Sequence, residues 1–197
     1  FKRADHPDYQ GLPAEQQAAI ARLQEHQIKL RSFPVNLPQR VVQPESLATD
    51  KQGKTILGYA MPLMVGTVPL HSYGDRSFRT ASGIGNQIVA NIFRDLHETV
   101  KRIHAAQSII GDFNDLNVLV RKDEAYLIDA DSWQYGQFLC RVFTARFVDP
   151  LLCDAQADRP LLQAPYNPDS DWYAFTVMLM QSLLFVDPYG GIYKPKD

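Results

Sequence analysis

Three polar residues, Asp112, Asn117 and Asp129, have the types and spacing of a site that handles a hard cation and a hydroxyl group. They occur in Ile110-Gly111-Asp112-Phe113-Asn114-Asp115-Leu116-Asn117-Val118-Leu119-Val120 and in Tyr126-Leu127-Ile128-Asp129-Ala130-Asp131. Asp112 and Asn117 are five apart on an expected loop, and Asp129 lies seventeen beyond Asp112 at the end of an expected strand. The apolar runs 118–120 and 126–128, joined by the charged turn Arg121-Lys122-Asp123-Glu124, read as a short hairpin that can fold Asp129 back beside Asn117. One carboxylate is then left to orient a nucleophile and accept its proton. An amide oxygen and a second carboxylate can hold magnesium or manganese. Phosphoryl transfer needs those parts. Asp and Asn also cap turns in ordinary loops, so the spacing gains weight only from the elements around it.

Those elements alternate in a readable order. Pro13 and Glu15 open a helix with an apolar stripe (Ala19, Ile20, Leu23, Ile28, Leu30) over 13–31, stopped by Phe33-Pro34 and Leu37-Pro38. Strands are expected over 40–47 and 54–64, with the polar tip 49–53 turning between them. Ile88, Val89, Ile92, Phe93, Leu96, Val100 and Ile103 mark a long amphipathic helix over 86–107, with Gly83-Ile84-Gly85 as its lead-in. Residues 132–168 read as irregular, and a helix apolar nearly all round is expected over 170–186. The order predicts an α+β chain with a small mixed lobe over 1–64 and a mostly helical lobe over 65–197.

Bulk composition excludes several classes. The 197 residues are 45% hydrophobic and carry a formal net charge of -2, so no basic field points to nucleic acid or an anionic membrane. No apolar run is long enough to span a bilayer, and no signal-peptide pattern opens the chain. Cys140 and Cys153 form no CxxC pair and read as reduced thiols, which fits a cytoplasmic setting. His97 and His104 lack a carboxylate or thiol at metal spacing, so helix-surface or core roles are expected of them rather than zinc. The chain begins at Phe1 and stops soon after a Pro/Gly-rich turn, so other domains on a longer chain are expected.

The combined pattern resembles the protein-kinase catalytic loop and metal-binding aspartate, H-R-D-x-x-x-x-N followed by D-F-G. The resemblance implies a two-lobe kinase-like fold, with a partial β-rich small lobe and a helical large lobe. It gives Asp112 the catalytic role, Asn117 the second metal-ligand role and Asp129 the principal one, with ATP and magnesium as the nucleotide and ion. Gly58 to Gly66 resembles the strand and hinge that meet the nucleotide. There Met61 would be the gatekeeper, the Pro62 carbonyl and the Met64 N–H would face the adenine, and Pro62 itself has no N–H to offer. Ser170-Asp171 resembles the start of the buried helix of the large lobe, where Asp171 would hold the catalytic-loop backbone; its plainer role is a helix cap, served by Asp169 or Ser170. Phe147-Val148-Asp149-Pro150-Leu151 sits where kinases end the activation segment. Glu25 is the expected partner of a phosphate-binding lysine, with Glu15 as fallback. That lysine is expected upstream of Phe1, as is the glycine-rich loop, and Lys2 is a weak substitute.

Departures from the pattern narrow the resemblance. Ile110-Gly111 replaces the His-Arg pair, so activation through a phosphorylated loop loses its usual partner. Asn114 stands where a lysine is usual, Ala130-Asp131 replaces Phe-Gly, and Leu151 replaces a glutamate. The run G-D-x-N-x-x-N with D-A-D is closer to atypical bacterial kinases and small-molecule phosphotransferases. The leading expectation is an ATP-dependent Ser/Thr protein kinase acting on a protein substrate. A small-molecule kinase of the aminoglycoside or choline type, a pseudokinase that senses nucleotide, and a helical binding domain stand beside it.

Overall fold

The computed structural model describes residues 5–186 and Pro188. It is a mixed α+β structure with small antiparallel sheets. The chain packs as two compact units, one made of residues up to Val35 with Pro44–Met61, the other of Asn36–Gln43 with the chain from Pro62 onward. The weakly expected Lys2 and the Pro/Gly-rich turn beyond Pro188 lie outside the described residues.

In the first unit, Pro13 occupies the first turn of helix α1 (Pro13–Lys29), whose last turn passes into a 3-10 turn at Leu30–Ser32. Strands β1 (Ser46–Thr49) and β2 (Ile56–Ala60) form an antiparallel pair, with Leu47 opposite Tyr59. A two-stranded ribbon is marginal by itself, and here α1 grips it. The Gln27 side chain donates to the Ile56 carbonyl at 3.0 Å and accepts from the Ile56 N–H at 2.7 Å. Both expected strands are shorter than the sequence reading placed them. Pro44 has no N–H for a ladder, so β1 starts only at Ser46; β2 stops at Ala60, two residues before Pro62.

Val41 and Val42, expected in that first strand, belong to the second unit. Val41 bridges Leu127, Val42 N–H donates to the Leu127 carbonyl and Leu127 N–H to the Arg40 carbonyl, both at 2.8 Å. Arg40 adds ion pairs to Glu124 at 2.7 Å and Asp95 at 3.3 Å.

The second unit is built on helix α3 (Asn86–Ala105), which buries Val89, Ile92, Phe93, Leu96, Val100 and Ile103 along one stripe. Strand β3 (Val68–Pro69), a 3-10 turn at Leu70–Gly74 and the short helix α2 (Arg76–Ala81) precede it. After α3 come β4 (Ser108–Ile109), β5 (Val118–Arg121), β6 (Glu124–Leu127) and β7 (Gln134–Tyr135). The sheets are β3-β5-β6 and β4-β7, both antiparallel, with Val118 opposite Leu127. The tight turn that joins β5 to β6 holds Lys122 at φ 61.

Helix α4 (Pro168–Leu184) lies against α3, with the rings of Phe93 and Phe175 edge to face at 5.4 Å. Its cap differs from expectation. Asn167, not Asp169 or Ser170, is the N-cap: its side chain accepts from Ser170 N–H at 3.1 Å while Ser170 Oγ accepts from Asn167 N–H at 3.0 Å. That frees Asp171, one residue further on, for another task. Asn167→Ala is expected to cost about 1 kcal/mol of stability, read as a lowered midpoint in chemical denaturation.

Candidate functional site

The loop 110–117 enters from β4 and leaves into β5, and its shape is set from below by one buried carboxylate. Asp171, with no exposed surface, accepts from Ile110 N–H through Oδ2 and from Gly111 N–H through Oδ1, each at 2.9 Å. His104 Nε2, at the end of α3, lies 2.9 Å from the same Oδ2 and must carry the proton, because a carboxylate without one can only accept. The backbone role expected of Asp171 is therefore present, and the histidine reinforces it.

Gly111 takes φ +76, which favours glycine. A Cβ there would meet Cys140 Cβ at 2.7 Å and Sγ at 2.8 Å, and Tyr166 Cδ2 at 3.1 Å. The space beside the loop is thus filled by an apolar cluster of Cys140, Val148, Leu152 and Tyr166. Tyr166 donates to the Val142 carbonyl at 3.1 Å, and burial raises its phenol far above the ordinary value, with Cys140 and Asp112 adding to the rise. Both cysteines are free thiols, as the sequence implies, and burial of Cys153 raises its pKa.

Around Asp112 the side chains knit the loop to itself. Asn117 Nδ2 donates to the Asp112 carbonyl at 3.0 Å. Asn114 Nδ2 lies within hydrogen-bond distance of the Asp112 carbonyl (3.0 Å), Asp112 Oδ1 (3.2 Å) and Thr144 Oγ1 (3.2 Å). The hairpin then returns. Ile128 N–H donates to the Asn117 carbonyl at 3.0 Å, which puts Asp129 next in line after a residue bonded to the loop. Asp129 is exposed and adopts the left-handed conformation, φ 63 and ψ 31, at the head of a 3-10 turn whose Ser132 bonds back to its carbonyl. Asp tolerates that region better than most residues.

The other expected residues lie elsewhere. Glu25 is half-buried on α1, and Met61, 52% exposed, follows β2 at the end of the first unit. Pro62 and Met64 open the second unit ahead of β3; Pro62 is exposed, and the Met64 carbonyl accepts from Thr67 Oγ1 at 3.2 Å. His97 stacks near Trp172 at 4.9 Å and is a surface residue, in line with expectation.

Among the described residues no three His, Cys, Asp or Glu side chains converge as a transition-metal centre requires. The donors near Asp112 are hard oxygens. Asn117 uses its Nδ2 within the loop, so Oδ1 is the atom it could offer a cation, and the Asp129 carboxylate would be the second oxygen donor. That set suits magnesium, which usually takes one or two protein oxygens and completes its shell with water and phosphate.

Comparison with known proteins adds an independent line. The chain is 25% identical over 119 residues to the protein named Protein kinase YegI of Escherichia coli O157:H7, and equally to that of E. coli strain K12. It resembles a named kinase. The match covers 57% of this chain and 18% of each relative, so this chain corresponds to under a fifth of their length. No family model matches the chain, and no helix of the described residues is long and apolar enough to cross a membrane.

In the sequence Asn114 stands out only as a departure from the kinase pattern, and Thr144 and Tyr166 do not stand out at all. Asn114 had a visible signal, since Asp-x-Asn can bond locally. Thr144 had none, because its partner lies thirty residues away.

Two substitutions test the architecture. Gly111→Ala meets both a disfavoured φ and a Cβ overlap, and is expected to cost about 2–4 kcal/mol. Asp171→Asn turns an acceptor toward two buried N–H groups into a donor, with a loss of about 2–4 kcal/mol expected in denaturant titration. A loss below about 0.5 kcal/mol in either variant, the range of an unremarkable surface change, would contradict the geometry described.

Proposed function

We propose that this chain carries the phosphotransferase site of a protein-kinase-like enzyme, arranged in two lobes and using ATP with magnesium or manganese. The observation that supports it most is the return of the β5–β6 hairpin, through the Ile128–Asn117 backbone bond, to a loop whose Asp112 and Asn117 are already linked. The likeness to Protein kinase YegI supports the same reading.

In this reading Asp112 accepts a hydrogen bond, and in the transition state the proton, from an acceptor hydroxyl. Asn117 Oδ1 and the Asp129 carboxylate hold the divalent ion. When bound, that ion neutralises charge on the phosphate oxygens and aligns the terminal phosphate for in-line attack. What the chain contributes is position and a fixed field, which is most of what phosphoryl transfer requires. The Pro62 carbonyl and Met64 N–H would face the adenine, with Met61 beside it, and Glu25 would pair with a phosphate-binding lysine. The acceptor we favour is a Ser or Thr hydroxyl of a protein, because residues 132–168 and the Ser170-Asp171 helix start resemble an activation segment and its anchor, and Cys140 and Thr144 of that segment meet Gly111 and Asn114 of the loop.

Transfer of radiolabelled γ-phosphate from ATP, to an acceptor protein or to the enzyme itself, tests the reading directly. Asp112→Asn is expected to reduce transfer by roughly 1,000-fold while nucleotide binding persists. Wild-type protein that binds nucleotide and metal yet transfers nothing would point instead to a nucleotide-sensing pseudokinase. Transfer to a small-molecule hydroxyl but to no protein would move the reading to the aminoglycoside or choline type.

A further inference from the structure

Asn114 is 4% exposed, and both ends of its carboxamide are engaged. Its Oδ1 accepts from Leu116 N–H at 3.0 Å and from Asn117 N–H at 3.1 Å. Its Nδ2 faces three oxygens, the Asp112 carbonyl, the Asp112 carboxylate and the Thr144 hydroxyl. One buried side chain therefore joins the residue at the start of the loop, the backbone at its end and a segment thirty residues downstream. A lysine at this position would put a flexible cation there. A short neutral amide cannot supply such a charge to a phosphate, but it has few rotamers and can satisfy donors and acceptors at once.

We propose that Asn114 is the positioning residue of this site: it holds the Asp112 carboxylate in place and clamps the Thr144 segment to the catalytic loop. The inference rests on the phosphotransferase reading for its catalytic consequence, but the clamp itself does not. With Asn114 in place, the Asp112 carboxylate has a donor fixed on one oxygen, so its other oxygen is the one left for an acceptor hydroxyl. The Thr144 segment is docked by the same group, and Cys140 and Tyr166 pack beside Gly111. The Asn114–Thr144 and Gly111–Cys140 contacts that join the loop to the segment involve no cation.

Two measurements on the full chain separate the clamp from the activity. Asn117 N–H also donates to the Asn114 backbone carbonyl at 3.1 Å, so the readout is Leu116: its amide should lose exchange protection in Asn114→Ala and keep it in Asn114→Asp, whose carboxylate still accepts from it. Steady-state transfer should fall about 100-fold in kcat in both variants, with KM for ATP little changed, since Asn114→Asp turns an acceptor toward the Asp112 oxygens. Thr144→Val should lower kcat by a smaller factor and Thr144→Ser should restore it. An Asn114→Asp protein that folds and retains wild-type kcat would overturn the proposal, as would unchanged exchange at Leu116 in Asn114→Ala. A wild-type protein that shows the exchange pattern but no transfer would uphold the clamp and refute the phosphotransferase reading.

Discussion

A single buried carboxylate carries the architecture of the site. Asp171 sits in the first turn of α4, fully enclosed, and accepts from two consecutive N–H groups of the loop that leads to Asp112, with His104 closing the set. A charge without solvent is costly unless each lone pair finds a donor, and here three donors converge on it. The arrangement ties α3, α4 and the loop together at one point. Everything that follows in the chain, the β5–β6 hairpin and Asp129 at its end, is placed relative to that point.

The remaining freedom of the loop is removed by contacts of another kind. Gly111 lets the backbone turn with φ +76 and lets Cys140 and Tyr166 close against it. Asn114 then fixes the loop from within. A protein-kinase loop of the usual pattern carries a histidine, an arginine and a lysine at the three corresponding positions. Here an isoleucine, a glycine and an asparagine occupy them, so those three positions contribute no cation to the loop. At Gly111 and Asn114 the geometry depends on close packing and on amide hydrogen bonds instead.

Much of this was legible before any coordinates. The 3.6-residue stripe from Val89 to Ile103 marked α3, because a helix packed on one face must repeat that way. The hairpin of β5 and β6 was visible as two apolar runs around a charged turn. Proximity of Asn117 and Asp129 followed from that hairpin alone, since two paired strands leave their outer ends side by side. The strands of the first unit stop short of their apolar neighbours because Pro44 and Pro62 lack the N–H that a ladder needs. Val41 and Val42 pair with Leu127, more than eighty residues away, and no local pattern encodes such a partner. The same holds for Asn114 with Thr144 and for Gly111 with Cys140. Periodicity reports which face is buried, not what it is buried against.

The central claim is that Asp112, Asn117 and Asp129 form a nucleotide site that works through a divalent cation. Thermal unfolding of the full chain with ATP, with and without magnesium, beside Asp129→Asn, tests it most directly. Asn tolerates the left-handed backbone as Asp does, so the substitution removes the charge without straining the backbone there. The account predicts that the unfolding temperature rises only when nucleotide and magnesium are both present, and that Asp129→Asn abolishes the rise. A rise that needs no metal, a rise that survives Asp129→Asn, or none at millimolar nucleotide would contradict it.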